Sequence, residues 1–76
     1  MISAAEIEKM IRVVLPDSQV KAMDMTGGGD HFEIFVASKI FAGKTLIEQH
    51  QMVFSALEKE MDKRIHAVKL KTKVLA

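Results

Sequence analysis

No cysteine occurs among the 76 residues, so no disulfide can staple the fold and no thiolate from this chain can serve as nucleophile or metal ligand. Any metal the chain binds must be held by His, Asp or Glu. A cysteine-free composition suits a reducing compartment, and the cytoplasm is the expected location. Long apolar runs are missing as well. The opening Met1-Ile2-Ser3-Ala4-Ala5-Glu6 has neither the basic start nor the apolar stretch of a signal peptide, so a soluble protein with no membrane partner is expected. Nor is there an excess of one charge: 11 basic against 10 acidic side chains argue against a general nucleic-acid coat protein and leave room for a local basic patch. The length suits a single domain over 1–76, at the lower edge of what burial alone can stabilise.

What is present reads as alternating helical and strand periods. Ser3 with Glu6 forms a capping box, and Ile7, Met10, Ile11, Val14 and Leu15 follow with helical spacing. Pro16 ends that helix, because its ring fixes φ and disfavours α geometry at Leu15. Gln19 to Met25 reads as a short strand, Thr26-Gly27-Gly28-Gly29-Asp30 as a flexible loop, and His31 to Ser38 as the clearest strand. Phe32, Ile34 and Val36 share one face of that strand; His31, Glu33, Phe35 and Ala37 share the other, whose half-apolar character marks a central strand. Thr45 with Glu48 opens a second helix whose Leu46, His50, Val53, Phe54, Leu57 and Met61 form one stripe, with a break expected near Ala56 or Leu57. From Ile65 the period returns to two, with His66, Val68, Leu70 and Thr72 on one face and Ala67, Lys69, Lys71 and Lys73 on the other. The expected fold is α+β: an antiparallel hairpin, a third strand parallel to the second, and helices packed on one face, with Phe32, Ile34, Val53, Leu57, Val68 and Leu70 in the core.

Each chemical candidate has a plainer reading. The glycine loop leads into a strand, whereas a phosphate-binding loop leads from a strand into a helix with Lys then Ser or Thr, so a hairpin connection outweighs a nucleotide site. Lys44 precedes a helix N-terminus and could hold a phosphate, although many helices begin with a solvated lysine. The Lys69, Lys71 and Lys73 stripe is ordinarily the wet face of a strand, and it can also dock an acidic partner or a nucleic-acid backbone. His50 falls on the apolar stripe, where a hydrogen-bonded histidine at the core boundary is expected. His31 and His66 stand near the starts of two strands. If those strands are parallel neighbours, the imidazoles can approach at one end of the sheet, although on spacing alone an incidental pair is commoner. No serine has a positioned base or glycine elbow, and the carboxylates are scattered, so an enzyme is not expected.

The ordered series Phe41-x-Gly43-Lys44-x-Leu46, Gln49-His50-Gln51-Met52-Val53, Ala56-Leu57 and Ile65-His66-Ala67 resembles the BolA family over Glu6 to Thr72, and the Asp30-His31-Phe32 entry is similar to its short BolA-like branch. The resemblance implies an α-β-β-α-α-β fold similar to class II KH domains. It also implies an adaptor that pairs with a monothiol glutaredoxin through a bridging [2Fe-2S] cluster, in iron–sulfur trafficking or iron regulation. The glutaredoxin side supplies its own cysteine and that of bound glutathione. On this side the family's ligands correspond to His66 and, from the loop between the first two strands, to His31, with Asp30 as the alternative. The isolated chain is expected to carry no cofactor and to be a monomer or weak homodimer. Imidazole in place of thiolate on one iron has precedent in Rieske centres.

Other members of the family are linked to DNA binding and transcriptional control, with arginines beside the helix histidine. Here Gln49 and Gln51 flank it. The alternative is therefore a KH-like nucleic-acid-binding regulator using Lys39, Lys44, Lys69, Lys71 and Lys73, with weak DNA binding expected.

Overall fold

The computed structural model describes residues 2–61, 65 and 67–75. The first helix, α1 (Ala4–Val14), starts where the capping box requires: the Ser3 hydroxyl accepts from the Glu6 N–H, and the Glu6 carboxylate accepts from the Ser3 N–H. Its Ile7 and Ile11 are fully buried, and Leu15 just beyond closes that stripe. After Pro16 the chain enters β1 (Gln19–Asp24), which pairs antiparallel with β2 (His31–Ser38). A 3-10 turn (Lys39–Phe41) then leads to α2 (Leu46–Leu57), capped by Thr45 and Glu48. The chain closes with β3 (Ala67–Val74), parallel to β2. The sheet order is β1-β2-β3, so β2 is central as its two-sided apolar pattern requires.

One face of the sheet is covered. Ala22 from β1 and Phe32, Ile34 and Val36 from β2 join Ile7 and Ile11 of α1 and Val53 and Leu57 of α2 in a single core, with Phe41 and Ile65 closing its ends. Val68 and Leu70 pack against it while half-buried, because β3 is an edge strand. The opposite edge is covered by α1. The Glu8 carboxylate, 3.9 Å from Arg12, accepts from the Ala22 N–H at 3.0 Å, occupying a backbone donor that would otherwise invite another strand.

Two expectations about the second helix are revised. Its buried row is Gln49, Val53 and Leu57, whereas Leu46 is 61% exposed and His50 and Phe54 are half-buried. The helix turns Val53 and Leu57 into the common core, and a residue four positions earlier, Gln49, follows them inward. The break after Leu57 is real, but residues 58–60 form a turn and no further helix begins among the described residues; 62–64 lie outside them. An isolated parallel bridge joins Met61 and Ile65, and the described β3 pairing runs from Ala67, with residue 66 outside the described residues.

Candidate functional site

Loop geometry between β1 and β2 follows from one carboxylate. Asp24 Oδ1 accepts from the N–H groups of Thr26 (3.2 Å) and Gly27 (2.9 Å), and Oδ2 accepts from that of Gly29 (2.8 Å). Gly27 and Gly29 have φ of 77° and 75°, a region that L side chains rarely adopt, which is why glycine stands at both. Thr26 Oγ1 completes the wrap by accepting from the Gly28 N–H and donating to Asp30 Oδ1 at 2.8 Å. The loop expected to be flexible is therefore built around an internal anion. Its amides face Asp24, which removes the phosphate-cradle reading on physical grounds. Sequence reasoning missed Asp24, although an Asp two residues before a Thr-Gly-Gly-Gly run is the pattern of an Asx turn.

At the loop exit His31 is exposed, with Nδ1 3.5 Å from Asp30 Oδ1. The register pairs His31 with Ala67, and the Ala67 N–H donates to the Asp30 carbonyl at 3.2 Å. The expected parallel arrangement thus brings the starts of β2 and β3 to one end of the sheet. His66, which immediately precedes Ala67 in sequence, lies outside the described residues. No three His, Asp or Glu side chains converge among the described residues. As a donor set, an imidazole beside a carboxylate suits a borderline metal: the carboxylate orients the ring through one nitrogen and leaves the other to ligate.

The five lysines of the nucleic-acid alternative fall into two groups. Lys69, Lys71 and Lys73 stand exposed on the uncovered sheet face. Lys39 and Lys44 belong to the turn beyond the C-terminal end of β2, and the groups meet only near Lys73, whose neighbour Val74 pairs with Ser38. That turn is tightly held. Asp17 accepts from the Ser38 hydroxyl at 2.9 Å and the Lys39 N–H at 3.0 Å. The Lys39 N–H first, and then the Ser38 hydroxyl, hold the Asp17 carboxyl below its ordinary range. At the start of α2 the Glu48 carboxylate accepts from the Thr45 N–H at 2.8 Å; that bond, followed by the Thr45 hydroxyl, lowers its pKa, with the Lys44 charge adding a smaller effect. A phosphate at Lys44 would have to displace or accommodate this anion.

Gln49 is the second residue the sequence concealed. Its Nε2 donates to the carbonyls of Lys44 (3.0 Å) and Phe41 (3.5 Å), and its Oε1 accepts from the Thr72 hydroxyl at 2.7 Å. A buried amide so ties the Phe41–Lys44 turn, with Gly43 at φ 76°, to β3. His50 meets Phe54 edge-on at 6.5 Å, but its buried Nε2 has no hydrogen-bond partner among the described residues, contrary to the hydrogen-bonded ring expected from the sequence.

A model of the BolA-like protein family matches residues 4–76. The chain belongs to the BolA family. Among BolA relatives, an uncharacterized protein of Rickettsia prowazekii is 37% identical over 71 residues, covering 93% of this chain and 92% of that protein. Protein BOLA2 of Arabidopsis thaliana is 40% identical over 72 residues, covering 93% of this chain and 76% of its own. The crystal structure of a BolA-like protein from Babesia bovis superposes with a TM-score of 0.84 at 32% identity, over 97% of this chain and 86% of that one. The BolA match spans both the Asp24-centred loop and the turn held by Gln49.

Proposed function

We propose that this BolA-like chain works as an adaptor that shares a [2Fe-2S] cluster with a glutathione-loaded monothiol glutaredoxin, in iron–sulfur cluster handling or iron regulation. The observation that carries the reading is the exposed His31–Asp30 pair at the sheet end where β3 begins, one residue after His66. In this reading His66 and His31 supply the ligands on this side. Asp30, whose Oδ1 lies 3.5 Å from His31 Nδ1, is the alternative ligand. Imidazole ligation of one iron raises the potential of such a cluster relative to all-thiolate ligation.

Anaerobic reconstitution with the glutaredoxin, followed by visible circular dichroism and EPR of the reduced cluster, tests the assignment. His66→Ala should abolish the mixed-ligand spectrum without unfolding the chain, and His31→Ala should leave a more labile complex. A wild-type spectrum from the His66→Ala complex refutes it. A nucleic-acid-binding regulator is the second reading, favoured by the lysine row of β3. It requires affinity that falls steeply with salt and is lost in Lys71→Ala.

A further inference from the structure

The sheet face that no helix covers among the described residues has a distinct composition. Register and alternation place Lys21, Phe35 and Lys71 in one row across the three strands, with Met23, Glu33 and Lys69 in the next and Lys73 beyond. Phe35 is 39% and Met23 49% exposed, large apolar groups on an otherwise lysine-rich surface. Among the described residues, four basic side chains stand here against one acidic one, Glu33, while the others carry five basic and eight acidic side chains. His31 belongs to the same outward row of β2 as Glu33 and Phe35, so this face runs without interruption into the candidate ligand.

We infer that this open face is the docking surface for the protein that completes the site at His31, and that the partner meets it with an acidic surface surrounding an apolar spot. The inference rests on the shared-site reading above. Three observations select this occupant. Any chain contributing ligands beside His31 must lie over this end of the sheet, where the row Met23–Glu33–Lys69 comes first and the row Lys21–Phe35–Lys71 directly after it. The lysines flank Phe35 on both sides, separated by two strand spacings, roughly 10 Å, which suits carboxylates placed around an apolar side chain. A phosphate backbone instead needs an uninterrupted basic track, and Glu33 together with Asp30 beside His31 breaks it. Exposed lysines steer association and tune specificity, while Phe35 and Met23 supply the apolar contact.

The double variant Lys21→Glu/Lys71→Glu alters solvated side chains only, and far-UV circular dichroism and a thermal melt confirm that it folds. Titration calorimetry against the glutathione-loaded monothiol glutaredoxin should show binding weakened by about tenfold or more and a flattened dependence on salt. Lys21→Arg/Lys71→Arg should bind as the wild type does. If the wild-type pair assembles the cluster and the charge-reversed variant binds equally well, the docking inference fails while the shared-site reading stands. If the wild-type chain forms no cluster complex at all, the reading fails and takes the inference with it. If the variant keeps its glutaredoxin affinity but loses binding to a fluorescent oligothymidine that the wild type binds, the face is a nucleic-acid track and the inference is overturned.

Discussion

Replacing Gln49 with leucine keeps most of the side-chain volume on the buried row of α2 but removes both ends of its hydrogen bonding. The Lys44 carbonyl loses its 3.0 Å donor, the Thr72 hydroxyl its 2.7 Å acceptor, and the Phe41 carbonyl a weaker contact at 3.5 Å. Leaving partly buried polar groups unmatched costs about 1–3 kcal/mol, and the gain from a buried leucine offsets only part of it. For a domain of this size each kcal/mol shifts the melting temperature by about 4–8 °C, so a fall of roughly 5–15 °C is expected. A thermal melt followed by circular dichroism measures it. Thr72→Val serves as the second arm of a double-mutant cycle: if the Oε1 contact matters, the two losses should be less than additive by about 0.5–1 kcal/mol. Gln49→Leu melting with the wild type, or strict additivity with Thr72→Val, would refute the claim that this amide ties the turn to β3.

Asp24→Ala removes the acceptor of three loop N–H groups and should cost about 1–3 kcal/mol, with amide exchange at Gly27 and Gly29 speeding up first; unchanged exchange there would contradict the loop geometry. Asp17 and Glu48 have folded-state pKa values below their ordinary ones, so their contribution is fully present above the usual carboxylate range and lost as pH falls through the folded values. Wild type should therefore exceed Asp17→Asn in stability at neutral pH by more than it does near pH 3, as urea unfolding at both pH values will show. His50→Leu, which replaces a ring whose buried Nε2 lacks a partner, should leave the melting temperature unchanged or raise it, whereas a drop comparable to a core truncation would mean the nitrogen is engaged. His31→Ala in the free chain should shift stability by no more than about 0.5 kcal/mol, since the ring is exposed.

Much of the fold was legible because its signals are local. Ser3 with Glu6 and Thr45 with Glu48 announce their helices within four residues, and Phe32, Ile34 and Val36 alternate cleanly enough to identify the central strand. Pairing followed from loop length and period. The phase of α2 was legible in part: Val53 and Leu57 stood on the expected stripe and are fully buried, whereas Leu46, His50 and Phe54 beside them were apolar enough to hide the place of Gln49 in the buried row. Gln49 therefore read only as a flank of His50 and turned out to be a buried tie. The site shows the same division. The juxtaposition of the β2 and β3 starts was readable from the periods, whereas the role of Asp24 depends on three glycine-loop amides converging on one side chain, which composition alone presents as slack. Of the two histidines singled out as ligands, the structure describes only His31.

The Asp24-wrapped loop also bears on speed. A histidine at the exit of a slack glycine segment would spend most of its time away from any one position, and each encounter would wait on, or be penalised by, the fraction of chains in the competent geometry. Here the loop amides are already engaged and the strand begins at His31 itself, so the ring stands on a fixed backbone before anything arrives. Capture at this residue is then governed by collision and orientation rather than by rearrangement of the loop. Release can be equally prompt, because no folding of the loop has to be undone. A short residence time with rapid exchange is the behaviour such a backbone permits, and the proposed sharing of a cluster would require it.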